Sequence, residues 1–159
     1  MAVLDAFRLN GRVAVVTGAN RGIGRALAVA LAEAGADLAL LARRPETCAP
    51  LIEEARTLGV RAEVFAADVA SKRAVTQAAG QVQDRFGAAG ILVNNAGIGG
   101  HRPALEVTEE EWQQVFDVNV TGVWHCCRAF GAQMAAAGDH QHRVYLGDHR
   151  EPAPVAARL

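Results

Sequence analysis

"RVAVVTGANRGIG", Arg12 to Gly24, is the stretch that decides the fold. Its first half is valine-rich, has no polar alternation and ends at a glycine, so it reads as a strand buried on both faces. Its second half sets Gly18, Gly22 and Gly24 ahead of a helical pattern. In that pattern Ile23, Leu27, Leu31 and Ala34 recur every three or four positions before Gly35 stops it. A strand, a glycine turn and a helix in this order suit a pyrophosphate. Gly18 permits the tight turn, Gly22 lets backbone approach the anion, and Gly24 lets the helix pack against the strand. The helix N-terminus then supplies unpaired N–H groups and the positive end of the helix dipole.

The alternation continues outward. "ADLALLARR" (Ala36–Arg44) is a second buried strand, followed by a helical stretch from Pro45 to Leu58 with Gly59 as its stop. "RAEVFAADV" (Arg61–Val69) is a third strand, and Ser71 is placed to cap a helix running to Phe86. "GILVNNAG" (Gly90–Gly97) is a fourth strand. Thr108 and Glu111 form a capping box ahead of one long helical stretch from Glu109 to Met134. Apolar strands that alternate with helices must be covered on both faces, which predicts an α/β fold with a doubly wound parallel sheet. After Gly138 no helical apolar face remains. "RVYL" (Arg143–Leu146) is a candidate fifth strand at the C-terminal edge. The expected organisation is a nucleotide-binding domain over 1–138 and a divergent tail over 139–159.

Composition narrows the function. At 159 residues the chain suits a single domain, able to bury roughly 70% of its unfolded surface. Its net charge of −1 gives no electrostatic case for nucleic acid or an anionic membrane. No apolar run reaches membrane-spanning length, and the opening residues lack the pattern of a signal peptide. Cys48, Cys126 and Cys127 are an odd number without metal-ligand spacing, so no metal is expected. Reduced thiols in a cytoplasmic protein are the simplest reading.

The end of the second strand bears on which dinucleotide is held. An acidic residue there would bond the ribose 2′-hydroxyl of NAD, whereas arginine matches a 2′-phosphate in charge and shape. Arg43 and Arg44 stand at that end, Arg21 lies in the glycine turn, and Asp37 sits at the strand's far end. The pattern favours NADP over NAD.

"TGANRGIG", "ADV" at Ala67–Val69, "NNAG" at Asn94–Gly97 and "NVTG" at Asn119–Gly122 stand in the order and spacing of the short-chain dehydrogenases/reductases, and residues 8–138 resemble that family. The resemblance implies a Rossmann-type sheet and hydride transfer between NAD(P) and a small carbonyl or alcohol substrate. It implies that Gly18, Arg21, Gly22, Ile23 and Gly24 line the pyrophosphate and ribose, and that Arg43 faces the 2′-phosphate. Asp68 and Val69 would face the adenine, and Asn95 and Gly97 the inner ribose while also holding the central sheet. Asn119 resembles the family's helix-interrupting asparagine, which anchors a water in a proton relay. Family members pair through the helix that here carries Trp124 and Phe130 and through a following one that has no counterpart, so a homo-oligomer of that kind is not expected.

The family's acid–base chemistry rests on a serine, a tyrosine and a lysine four residues beyond it. The sequence holds one serine (Ser71), one lysine (Lys72) and one tyrosine (Tyr145). The first two lie far upstream of the expected place. Tyr145 falls where a fifth strand should run, and Gly147, Pro152 and Pro154 deny a helix that could bring His149 beside it. The chain is therefore expected to be a truncated or frameshifted member lacking turnover. A catalytically silent NADP-binding module and a non-folding remnant are the alternatives.

Overall fold

The computed structural model describes residues 7–99 and 103–138 in full and the backbone of 143–146. The elements are β1 (Val13–Thr17), α1 (Gly22–Glu33), β2 (Asp37–Ala42), α2 (Ala49–Thr57), β3 (Ala62–Ala66), α3 (Lys72–Phe86), β4 (Ile91–Asn94), α4 (Glu109–Phe116), α5 (Gly122–Ala136) and β5 (Arg143–Leu146). A 3₁₀ turn over Pro45–Cys48 precedes α2, and a π-helical turn over Asp117–Thr121 joins α4 to α5.

The five strands form a parallel sheet in the order β3-β2-β1-β4-β5. Strand order reverses between β1 and β4, the place where a crevice opens at the carboxyl edge of such sheets. Alternate residues of each strand face opposite layers. Val15, Leu41 and Leu92 pack with Val75, Val82, Phe130 and Met134 of α3 and α5. Val16, Leu40 and Val93 pack with Ala28, Ala32, Leu51 and Ala55 of α1 and α2. The fold is the doubly wound Rossmann-type sheet expected from the apolar runs.

The small residues on α1 explain its close seat. Gly24, Ala28 and Ala32 are its buried positions, so the helix backbone lies directly over the strands. Each large apolar side chain buried on the sheet contributes about 1.5–3 kcal/mol.

Three local details differ from the sequence reading. The stretch from Pro45 opens as a 3₁₀ turn because a proline and no capping side chain begin it. The long helix expected from Glu109 to Met134 is broken by the π turn, whose physical cause lies at Asn119 and is described below. Phe130 is fully buried in the core, so of the two aromatic residues assigned to a pairing surface only Trp124 is exposed. Of the tail expected over 139–159, all but the backbone of β5 lies outside the described residues, His149 included.

Candidate functional site

All strands run the same way, so the residues following β1, β2, β3 and β4 gather along one edge. Thr17 pairs with Leu41, and the Gly18 N–H donates to the Leu41 carbonyl at 3.1 Å, which sets the glycine turn beside the end of β2. Arg43 and Arg44 follow two and three residues later and are exposed. The Ala67 N–H donates to the Ala42 carbonyl at 3.1 Å, carrying β3 to the same edge just before Asp68. Gly18, Arg21, Gly22, Ile23, Gly24, Arg43, Asp68, Val69, Asn95 and Gly97 thus belong to segments that share this edge.

The turn is built by close approach. Gly18 has φ +67°, and a Cβ there would meet Ala96 Cα at 2.9 Å. Gly24 lets α1 sit close against the exits of β1 and β4. A Cβ on it would collide with the Asn95 side-chain nitrogen and lie 2.5 Å from the Gly18 carbonyl oxygen. Gly22, at φ +56°, has open space where a Cβ would point. Arg21, immediately ahead of α1, offers no capping side-chain bond, and the first turn of α1 holds no acidic residue. α3 and α4 are capped, by Ser71 and by the Thr108–Glu111 capping box. The open space over Gly22 and the uncapped first turn of α1 fit a pyrophosphate.

Two side chains lock β1 to β4 at this point. Thr17 Oγ1 accepts from the backbone N–H groups of Asn95 (3.0 Å) and Ala96 (2.9 Å). Asn95 Nδ2 donates to the Thr17 and Gly18 carbonyls, both at 3.1 Å. Thr17 carried no role in the sequence reading. Its signal was a lone hydroxyl in an apolar buried strand, since a buried polar group requires partners.

Asn119 is held to the strand exit. Its Oδ1 accepts from the Ile98 N–H at 2.9 Å, and its Nδ2 donates to the Ile98 carbonyl at 2.8 Å. A side chain committed at both ends fixes the helix where it passes the loop, and the π turn over Asp117–Thr121 is the local adjustment. Gly97 sits beneath, with a would-be Cβ 3.3 Å from Asn119 Oδ1.

Asp68 and Val69 are fastened from behind. Asp68 Oδ1 accepts from the Ala70 N–H at 3.0 Å, and His125 Nδ1 donates to the Val69 carbonyl at 3.0 Å. Gly122 gives Val69 its seat, because a Cβ there would lie 2.8 Å from Val69 Cγ2. His125 and Gly122 had no part in the sequence reading, because their contacts are long-range. Asp37 is committed elsewhere: its carboxylate holds Arg61 through Nε at 2.9 Å and Nη2 at 2.6 Å. The acid of β2 therefore stabilises the amino edge of the sheet.

The thiols are not activated. Burial, helped by neighbouring Cys127, pushes Cys126 up to about 12, and burial also raises Cys48 and Cys127. Among the described residues no group of three or more His, Cys, Asp or Glu side chains could hold a metal ion, and no helix is long and apolar enough to cross a membrane.

The family profile of the short chain dehydrogenases matches residues 12–142. The chain belongs to that family. A galactitol 2-dehydrogenase of Rhizobium johnstonii is 42% identical over 135 residues, covering 84% of this chain and 52% of the relative. A short-chain type dehydrogenase/reductase from Mycobacterium marinum has a similar structure, with a TM-score of 0.86 at 35% identity over 91% of this chain and 59% of that one. A metagenomic short-chain oxidoreductase solved with NADP gives a TM-score of 0.80 at 36% identity, over 86% of this chain and 61% of that one. The short-chain dehydrogenase chain described here thus spans about half the length of the curated relatives it matches.

Proposed function

We propose that this short-chain dehydrogenase domain binds NADP along the carboxyl edge of its sheet and, as this polypeptide, does not carry out hydride transfer. The observation that carries the binding half is the turn from Gly18 to Gly24, with its open space over Gly22 and uncapped α1, beside the exposed Arg43. Gly18, Gly22 and Gly24, with Arg21 and Ile23, hold the pyrophosphate and ribose. Arg43 takes the 2′-phosphate, its planar guanidinium matching the oxyanion. Asp68 and Val69 flank the adenine, and Asn95 and Gly97 the inner ribose. The cofactor, when bound, supplies a hydride donor or acceptor for a carbonyl or alcohol.

Proton transfer to such a substrate needs a positioned acid. A phenol near pKa 10 needs a neighbouring cation to work near neutral pH. The single tyrosine, Tyr145, stands in β5 in register with Val93. The single serine caps α3, its Oγ accepting from the Ala74 N–H at 3.3 Å, and the single lysine begins that helix. On this reading, those placements leave the roles of the family's serine, tyrosine and lysine unfilled in this polypeptide. Asn119 then serves as an anchor of the loop after β4.

Thermal unfolding with and without NADP, beside an NADPH-oxidation assay over a panel of ketones and aldehydes, tests both halves. The expected result is a melting temperature that rises with NADP concentration, with no oxidation above the no-protein control. Turnover of any carbonyl substrate overturns the second half, and an unchanged melting temperature overturns the first.

A further inference from the structure

On the face of the molecule formed by α3 and α5, a groove of about 390 Å³ is lined by Lys72, Thr76, Gly80, His125, Arg128 and Gln133, with Ala79 and Ala129 as its apolar walls. It lies behind the Asp68–Val69 segment and is separate from the glycine turn. Its volume falls within the range of small-ligand pockets.

Its charge is one-sided. Lys72 and Arg128 make no ion pair among the described residues. α5 carries no Asp or Glu over Gly122–Ala136, and α3 carries none until Asp84. Elsewhere on the described surface Arg56 pairs with Glu53, Arg61 with Asp37 and Arg85 with Glu63, so carboxylates stand beside those cations as none does along this groove. Unneutralised cations along a shared groove give a positive potential that concentrates anions.

Two of the groove's side chains, His125 and Arg128, are also held in place. His125 is oriented by its Nδ1–H bond to the Val69 carbonyl at 3.0 Å, which leaves Nε2 as its other polar atom. Arg128 stacks over the Trp124 ring at 5.7 Å, a contact that restrains the guanidinium. At the far end Gln133 Nε2 donates to the Ala79 carbonyl at 2.9 Å. Gly80 lies in mid-helix, where it costs about 1 kcal/mol relative to alanine, yet a Cβ there would meet nothing within 4 Å. Core packing does not require that glycine; the groove is wider for it.

We infer that this groove binds a small polyvalent anion of the phosphate class, with Arg128 and Lys72 supplying charge and the restrained Arg128 guanidinium supplying placed donors. Inorganic phosphate and a simple phosphate ester share that chemistry. The inference stands on the groove alone and does not depend on nucleotide binding at the glycine turn.

The test titrates the full chain with phosphate and, separately, glycerol 3-phosphate, each against sodium chloride of equal ionic strength. The readout is Trp124 fluorescence in a Trp112→Phe background, where Trp124 is the remaining indole. A saturable response to phosphate that chloride does not reproduce is expected. A tighter response to the ester identifies an organic phosphate as the ligand, and equal responses identify the phosphate group alone. Arg128→Gln should weaken the response by about tenfold, the equivalent of one lost charge-assisted hydrogen bond. Gly80→Met, which fills the groove without touching the core, should abolish it, while Arg43→Ala should leave it unchanged. The inference fails if neither phosphate nor the ester gives a saturable response, if chloride gives the same one, or if the response survives both Arg128→Gln and Gly80→Met. Loss on Arg43→Ala alone would put the anion at the glycine turn and also overturn it.

Discussion

Asn119 clasps Ile98 by both ends of its carboxamide, with Oδ1 accepting at 2.9 Å and Nδ2 donating at 2.8 Å. This closed pair of bonds ties α4–α5 to the loop leaving β4. Asn119→Leu removes both bonds and should destabilise the domain by about 1–2 kcal/mol. Asn119→Asp sets a carboxylate oxygen against the Ile98 carbonyl where the donor stood and should cost at least as much. Urea unfolding measures the first effect, and faster proteolysis between β4 and α4 should accompany it.

Thr17 gives a sharper case because the residue is only 1% exposed. Thr17→Val keeps the shape but orphans the backbone N–H groups of Asn95 and Ala96. With a penalty of about 1–3 kcal/mol for each unsatisfied buried group, the loss should be about 2–4 kcal/mol. Thr17→Ser, which retains the oxygen, should recover most of it. Equal denaturation midpoints for valine and serine variants would show that the hydroxyl carries no stability.

Gly24 and Gly80 make a matched pair of glycine substitutions with opposite signs. Gly24→Ala forces a Cβ onto the Asn95 side chain and the Gly18 carbonyl, disrupting the link between β1 and β4. It should destabilise by more than about 2 kcal/mol and weaken NADP binding. Gly80→Ala meets open space in a helix and should stabilise by up to about 1 kcal/mol. Thermal denaturation of the two variants distinguishes them directly.

Much of this fold was legible because the strands are buried on both faces. Uninterrupted runs such as Ala14–Val16 and Leu38–Leu41 have no reading as half-exposed elements, and glycine punctuates each unit. The caps at Ser71 and Thr108 were equally local and equally visible. Other features depend on partners far along the chain. The Thr17 hydroxyl finds its donors 78 and 79 residues away, and the His125 ring meets Val69 across 56. The π turn keeps the same apolar spacing as an unbroken helix nearby, so periodicity alone could not reveal it. Gly24 was assigned to helix–strand packing by its place in the turn; its close neighbours are the Gly18 carbonyl after β1 and the Asn95 side chain after β4, and the second is a long-range contact that local pattern does not show.

The buried thiols give a pH dependence. Cys126 is raised from an ordinary 9.0 to about 12, so between those values the folded protein holds a proton that the unfolded chain releases. Stability therefore falls as pH rises through that window and is unaffected by this group below it. Chemical denaturation at pH 8 and pH 10 should show a lower midpoint at pH 10. At pH 8 a thiol reagent should modify Cys127 ahead of the fully buried Cys48 and Cys126.

The most direct measurement is calorimetric titration of the full chain with NADP and with NAD, repeated on Arg43→Ala. The account predicts that NADP binds more tightly than NAD, and that the Arg43→Ala chain binds the two alike while still binding both. Absence of binding by either nucleotide, or a preference for NADP that survives the loss of Arg43, would contradict it.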